Sequence, residues 1–125
     1  MKLEQLVSTQ ASPALGPYCH GRKFGNMIIT SGQIPLTKEG EYVYEVKAAT
    51  KLVLGNLLSI VEAGGGCKES VARVEVYLKS LDDFQAMNEA YAEFFGDHKP
   101  ARVCVQVAGL AGDVPLEAAM TAFVE

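Results

Sequence analysis

The sequence predicts a single α+β domain over residues 1–125, in which two helices pack on one face of a mixed β-sheet. Several short stretches alternate apolar and polar residues with the period of a strand, and two longer stretches repeat apolar residues every three or four positions. Their order along the chain is strands, helix, strand, helix and two strands. Because an amphipathic helix must bury its apolar stripe, both helices should lie against the sheet.

The composition limits the class of protein. The chain has 125 residues, of which 49% are hydrophobic, and a formal net charge of -4. A chain of this size can bury one core without disulfide or metal support, and its acidic balance counts against a dedicated nucleic-acid binder. No apolar run approaches the roughly 20 residues of a membrane span, and residues 1–10 lack the apolar segment of a secretory signal. We therefore expect a cytoplasmic protein.

The cysteines and histidines show no disulfide or metal pattern. Cys19, Cys67 and Cys104 are odd in number and far apart in the sequence, so we expect reduced thiols. His20 and His98 are isolated and lack the paired spacing of metal ligands, which predicts that they are surface or loop residues.

The first half of the chain predicts three strands followed by a helix. The strands are expected at Leu3–Val7, Cys19–Phe24 and Met27–Ile34. The helix is expected from Glu45 to Ala63, and Gly64–Gly66 should end it. Its apolar stripe consists of Ala49, Val53, Leu57, Ile60 and Val61.

The second half predicts a strand, a helix and two closing strands. Ala72–Lys79 alternates as a strand does, and Asp82 with Gln85 resembles a capping box at the start of the second helix. That helix should continue to Gly96 with an apolar stripe of Phe84, Met87, Tyr91 and Phe94. The closing strands are expected at Arg102–Val107 and Leu116–Val124, joined by the loop Gly109–Pro115.

The two closing strands carry the most informative side chains. Alternation places Arg102 and Cys104 on one face of their strand, and if the two strands pair, Glu117 can approach them. A guanidinium that holds a carboxylate, beside a second carboxylate that positions water, suits the hydration of a small carboxylic acid. A structural salt bridge between Arg102 and Glu117 is an equal alternative. Because no base is fixed beside Cys104, a packed thiol is favoured over a nucleophile.

The second face of the sheet lacks a cover in this prediction. The sequence contains no further amphipathic helix that could shield it from water. We therefore expect subunits to pack sheet against sheet in a homo-oligomer.

Four blocks of the sequence together resemble the reactive intermediate deaminase A (RidA, or YjgF) family. The blocks are Gly16–Tyr18, Ile29–Pro35, the helix from Asp83 through Asn88 to Phe95, and Pro100–Val105. They span nearly the whole chain in the family's order, and Glu117 stands fifteen positions after Arg102. The joint occurrence of that arginine strand and that glutamate is the most specific part of the resemblance.

The resemblance implies a chorismate-mutase-like fold and a homotrimer whose sheets face inward, with three clefts between neighbouring subunits. It also implies hydrolysis of 2-imino acids and their enamine tautomers, such as 2-iminopropanoate and 2-iminobutanoate, to 2-keto acids and ammonia. Pyridoxal-phosphate-dependent dehydratases release such compounds. The family uses no metal and no organic cofactor.

The resemblance also implies roles for individual residues. Arg102 grips the substrate carboxylate, and Glu117 orients the water that attacks the imine carbon. Cys104 offers its backbone N–H in the cleft. The other cleft residues are Tyr18, which closes over the ligand, Ser31, Gly32 and Asn88. The sequence departs from many members in a short Gly96–Lys99 segment and at Gly109 and Ala119.

Two other functions stay open on the sequence alone. The same arginine clamp would serve a regulatory trimer that binds a small carboxylate without turning it over. Some relatives have a ribonuclease or translation-inhibiting role, which the acidic net charge disfavours here.

Overall fold

Six strands form one mixed sheet with two helices on one of its faces, which confirms the predicted α+β fold. The computed structural model describes residues 2–125. The strands are β1 (Leu3–Leu6), β2 (Gly21–Phe24), β3 (Met27–Thr30), β4 (Val71–Leu78), β5 (Ala101–Gln106) and β6 (Leu116–Phe123), and the helices are α1 (Val46–Ala63) and α2 (Phe84–Phe95). They lie side by side in the order β1-β2-β3-β6-β4-β5. The β4–β5 pair is parallel, and the other neighbouring pairs are antiparallel.

Helix α1 begins and ends where the local sequence predicts. The Glu45 carboxylate accepts the N–H of Lys47 at 2.8 Å and that of Ala48 at 3.0 Å, which caps the first turn and lowers the pKa of Glu45. Gly64 follows the last turn. The whole predicted stripe is buried, with no exposed area at Ala49, Val53, Leu57, Ile60 or Val61.

The start of α2 differs from the prediction. Ser80 supplies the capping oxygen, since its Oγ accepts the N–H of Asp82 at 3.1 Å and begins a short 3₁₀ turn at Leu81–Asp83. The N-cap of α2 is Asp83, which makes no side-chain capping bond. The capping box predicted from Asp82 and Gln85 is therefore wrong, because the 3₁₀ turn moves the helix start downstream. The predicted end at Gly96 is confirmed.

The core lies between the helices and one face of the sheet. Strand β6 turns its alternate residues toward the helices, and β4 does the same beside it. These buried residues are Val74, Val76, Leu78, Leu116, Ala118, Met120 and Ala122. The alternation predicted for both strands is confirmed, and it assigns every other side chain to the opposite face.

Strand β4 lies between the two closing strands, so β5 and β6 do not pair with each other. Val76 pairs with Cys104 on one side and with Ala118 on the other. The expected approach of the two closing strands is therefore wrong. Helix α2 connects β4 to β5 in parallel, and the chain then passes through a 3₁₀ turn at Ala111–Asp113 to reach the far side of β4.

The face of the sheet away from the helices is uncovered within the chain. Four large apolar residues on this face have 38% to 47% of their surface exposed to solvent, namely Ile29, Val103, Val105 and Phe123. A polar strip on β4 divides them, in which the Tyr77 hydroxyl donates to Glu75 Oε2 at 2.7 Å. The packing of subunits on this face stays a prediction.

None of the helices within residues 2–125 is long and apolar enough to cross a membrane. Cys19, Cys67 and Cys104 form no disulfide with one another, and their reduced state stays a prediction.

Candidate functional site

Glu117 projects from the open face of the sheet into a cleft of about 510 Å³. Tyr18, Ser31 and Gly32 line the same cleft, so the structure brings together four of the residues that the sequence singled out. We call this the Glu117 cleft. Its remaining wall is largely apolar and includes Pro13, Leu15, Ile34 and Leu36, which the sequence analysis did not identify.

The segment after β3 is fixed beside Glu117 by backbone hydrogen bonds. The Gln33 N–H donates to the Ala118 carbonyl at 2.8 Å, and the Ala118 N–H donates back to Gln33 at 3.1 Å. The Ser31 hydroxyl donates to the Cys19 carbonyl at 2.6 Å. These bonds hold Ser31 and Gly32 at a set position next to the carboxylate. They also explain why the regular pairing of β3 ends at Thr30, short of the predicted Ile34.

The Glu117 carboxylate is partly buried in its cleft. Within residues 2–125 it forms no salt bridge, and burial raises its pKa above the ordinary value of 4.5. A partly desolvated carboxylate of this kind is a stronger base than a solvated one. The arrangement therefore suits a group that positions water and takes a proton from it.

Arg102 lines a second cleft, of about 390 Å³, between α2 and β5. Asn88 lies in this cleft, which we call the Arg102 cleft. The guanidinium forms no salt bridge with any carboxylate of residues 2–125. Its carbon lies 4.7 Å from the ring centre of Tyr91 and 5.7 Å from that of Phe84. The aromatic faces therefore hold the guanidinium without neutralising its positive charge, which is available to an anionic ligand.

Cys104 follows Arg102 on the same face of β5 and packs against the core. Burial raises the pKa of its thiol, and the positive charge of Arg102 opposes that shift. The thiol is therefore protonated near neutral pH, in agreement with the predicted packed thiol and not with a nucleophile.

Arg102 and Glu117 do not converge within one chain. Arg102 is on the face of β5 that turns toward α2, because it pairs with the buried Val74, whereas Glu117 is on the open face beside Tyr77. The intramolecular salt bridge considered as an alternative is therefore absent from residues 2–125. The expected site is divided into two half-sites, one in each cleft.

The aromatic residues around Arg102 were assigned only to a core stripe by the sequence. Phe84 and Tyr91 are seven positions apart and share a helix face with Met87, whose Sδ lies 3.9 Å from an Arg102 nitrogen. Their contact with Arg102 could have been predicted from the sequence, because both residues lie on the helix that precedes the strand of Arg102. A helix that connects two parallel strands packs across them, so its stripe meets the inward residues of the second strand.

The two histidines have structural roles. His20 lies in the loop before β2, as predicted, but its side chain is buried: Nδ1 accepts the Ser8 N–H at 3.0 Å, and Nε2–H donates to the Ser12 carbonyl at 2.8 Å. His98 lies in the loop after α2, as predicted, and bonds the Val71 carbonyl at 2.7 Å. No group of three His, Cys, Asp or Glu side chains between residues 2 and 125 could hold a metal ion.

Comparison with known proteins places this geometry in a family. A family model described as Endoribonuclease L-PSP matches residues 9–124. The 2-iminobutanoate/2-iminopropanoate deaminase of Escherichia coli strain K12 is 42% identical over 120 residues, which are 92% of this chain and 94% of the relative. A RutC family protein of Pyrococcus abyssi is 43% identical over the full length of both.

Solved structures agree with these sequence matches. The chain superimposes on Escherichia coli TdcF with bound serine at a TM-score of 0.94, with 37% identity and coverage of 98% of this chain and 99% of that one. The Escherichia coli YjgF structure gives the same TM-score and coverage at 39% identity. The sequence, the fold and the relatives therefore agree that this chain belongs to the reactive intermediate deaminase A (RidA/YjgF) family.

Proposed function

We propose that this protein hydrolyses 2-imino acids and their enamine tautomers, such as 2-iminopropanoate and 2-iminobutanoate, to 2-keto acids and ammonia. Such compounds are reactive by-products of pyridoxal-phosphate-dependent dehydratases. One observation carries the proposal: Arg102 and Glu117 are each without an ion-pair partner in residues 2–125, and each lines a cleft. A deaminase of these substrates is 42% identical to this chain.

Arg102 binds the substrate carboxylate in this proposal. Its planar fork of N–H groups matches the two oxygens of a carboxylate, which fixes the orientation of the neighbouring imine carbon. Because no carboxylate of residues 2–125 occupies the fork, the ligand need not displace an ion pair within the chain. Asn88 lines the same cleft and supplies a further polar contact.

Glu117 activates the water. After the enamine carbon is protonated to give the imine, water attacks C2, Glu117 takes one of its protons, and the C=N electrons move to nitrogen. Glu117 then returns that proton to the amino nitrogen of the carbinolamine, and as ammonia leaves, the hydroxyl oxygen forms the C=O bond and releases its own proton to Glu117 or to solvent. The raised pKa of Glu117 favours the proton transfer, and most of the acceleration comes from orientation.

The other residues shape the site. Tyr18 stands at the mouth of the Glu117 cleft, where its hydroxyl accepts the Leu15 N–H at 3.3 Å and keeps its own proton for a ligand. Ser31 and Gly32 provide polar contacts beside the carboxylate. Cys104 contributes its backbone N–H and not a thiolate.

The complete site requires two copies of the chain. Arg102 and Glu117 lie on opposite faces of one sheet, so a single protomer cannot present both to one small molecule. Strand β5 is at the edge of the sheet, where a second copy can approach, and the open face exposes apolar residues that another sheet can cover. We propose a homotrimer with inward-facing sheets and three clefts, each with Arg102 from one subunit and Glu117 from its neighbour.

Turnover of a freshly generated imine tests the function. A dehydratase acting on threonine would supply 2-iminobutanoate, and the loss of imine would be followed with and without this protein. We expect acceleration by the parent protein and by Arg22→Ala, which removes a guanidinium from a strand that lines neither cleft. Arg102→Ala should abolish acceleration while the oligomer persists.

The other two functions predict different results. A regulatory trimer would bind 2-oxobutanoate through Arg102 but would not accelerate imine loss. A ribonuclease would retain and cleave RNA in a salt-dependent manner. Either result in place of imine turnover would contradict the proposed function.

A further inference from the structure

Aromatic and thioether groups surround the Arg102 guanidinium, which forms no salt bridge with a carboxylate of residues 2–125. The ring of Tyr91 is the nearer of the two aromatic faces, at 4.7 Å from the guanidinium carbon against 5.7 Å for Phe84. Met87 adds a sulfur contact at 3.9 Å. A charged group that is partly removed from water is usually paired or hydrogen-bonded, so this environment of the half-buried Arg102 needs an explanation.

An aromatic face orients a cation without neutralising it. The ring quadrupole attracts the guanidinium, which lies over the ring and keeps the N–H groups at its edge available. A protein carboxylate would fix the arginine equally well but would compete with the carboxylate of a ligand. A tyrosine face therefore suits an arginine that must be ordered before an anionic ligand arrives.

The position of the Tyr91 ring is itself fixed by packing. The ring contacts Phe95 with centroids 4.8 Å apart, and the hydroxyl is buried without a hydrogen-bond partner in residues 2–125. Burial raises the pKa of Tyr91 to about 12, so the ring is neutral at physiological pH. A buried hydroxyl without a partner costs stability. The ring face, and not the hydroxyl, is the part of Tyr91 that Arg102 contacts.

We propose that Tyr91 is a positioning residue, whose ring face holds the Arg102 guanidinium in the orientation that binds the substrate carboxylate. This inference rests on the proposed carboxylate clamp, and it assigns to the clamp a residue of α2. Tyr91 acts through Arg102 and has no role in proton transfer. Loss of the ring lowers the fraction of Arg102 that is oriented to bind, so the affinity for the carboxylate falls, whereas a substrate once bound meets the same guanidinium and reacts at the parent rate.

Three variants separate this role from a structural one. Tyr91→Leu removes the aromatic face, Tyr91→Phe keeps it, and Phe94→Leu removes a different aromatic ring from the same helix, one that lies under Lys68 at 4.4 Å. Each variant is assayed for 2-oxobutanoate binding by calorimetry, for KM and kcat with 2-iminobutanoate, and for melting temperature. Phe94→Leu is the matched control, because Phe94 is a second half-buried aromatic residue of α2 and does not lie beneath Arg102.

We expect Tyr91→Leu to raise the Kd of 2-oxobutanoate and the KM about threefold to tenfold, with kcat within about twofold of the parent. Tyr91→Phe should restore both values, and Phe94→Leu should leave them unchanged even if its melting temperature falls. If Tyr91→Leu does not fold, Phe84→Leu replaces it, since Phe84 is 39% exposed and its loss leaves the core intact. That variant should raise Kd by a smaller factor, because its ring is farther from Arg102.

The outcomes distinguish this inference from the proposed function. A parent protein that binds 2-oxobutanoate without hydrolysing imines would contradict the function, while the Kd series would still test Tyr91. Unchanged Kd and KM in Tyr91→Leu, or in Phe84→Leu where it is used, would overturn the inference alone. Tyr91→Phe binding as weakly as Tyr91→Leu would also overturn it, because the hydroxyl would then be responsible. A parent that binds no 2-oxobutanoate would overturn the clamp and the role of Tyr91 together.

Discussion

The Glu117 carboxylate lies directly against the α-carbon of Gly32. A Cβ atom at position 32 would collide with Glu117 Oε2 and would lie 3.0 Å from Cδ. The backbone conformation of Gly32 is one that other residues also adopt. Glycine is therefore required at this position because of the neighbouring carboxylate and not because of the backbone. The absence of a side chain at position 32 therefore leaves the space in the cleft that the Glu117 carboxylate occupies.

Gly32→Ala should lower imine turnover by about tenfold to a hundredfold, because the added methyl group displaces the carboxylate that we propose positions the water. The fold should persist, since the collision is with the end of one side chain. The matched control is Gly109→Ala, at which an added Cβ meets nothing within 4 Å. Equal turnover by both variants, measured with 2-iminobutanoate, would contradict the assigned position of Glu117.

Glu117→Gln should stabilise the protein at neutral pH while it removes activity. Because burial raises the pKa of the folded carboxyl, the folded state binds more protons than the unfolded state between the ordinary value of 4.5 and the raised value. Stability is therefore lost as pH rises through that window. Thermal unfolding of both proteins should show a higher Tm for Glu117→Gln at about pH 7 and no difference at about pH 3. A lower Tm at neutral pH would contradict the desolvation of this carboxylate.

Inactive variants should complement each other if the site is shared between subunits. Arg102→Ala and Glu117→Gln chains, coexpressed in equal amounts, should regain about a quarter of the parent activity, because a random trimer leaves that fraction of clefts with both groups. The two proteins purified separately and mixed without subunit exchange should stay inactive. Coexpressed chains that form mixed trimers and also stay inactive would contradict a site shared between Arg102 and Glu117 of neighbouring subunits.

Gly55→Ala should stabilise the chain by about 0.5 to 1 kcal/mol, since alanine loses less backbone entropy than glycine inside a helix. Gly55 is exposed in the interior of α1, and an added Cβ meets nothing within 4 Å. Urea unfolding measures the change. A destabilised variant would indicate that this position contacts another subunit.

His20→Phe should destabilise the fold by about 2 to 4 kcal/mol, because two buried hydrogen-bonding groups, the Ser8 N–H and the Ser12 carbonyl, lose their partner. His98→Ala serves as the comparison, since its one bond to Val71 is only partly buried and should cost about 1 kcal/mol. Urea unfolding again measures both. A small effect at His20 would show that water replaces the ring.

The sequence determined the elements whose signals are local. The stripe from Ala49 to Val61 identified α1, the alternation around Val74 and Leu116 identified β4 and β6, and Gly64 marked a helix end. Each of these patterns involves residues only a few positions apart. The period of a helix or a strand determines directly which of those residues lie on the same face of the element. The start of α2 was predicted wrongly, because the capping oxygen belongs to Ser80, two residues before Asp82.

The tertiary structure alone decided where Arg102 and Glu117 lie relative to each other. Alternation orders the side chains within one strand, but it does not say which strands are neighbours. The insertion of β4 between β5 and β6 depends on the crossover through α2, and it turned Arg102 toward the helices and Glu117 toward the open face. Strand order is set by contacts between residues far apart in the chain, which no local pattern records, and for that reason the division of the site into two clefts was visible only in the folded molecule.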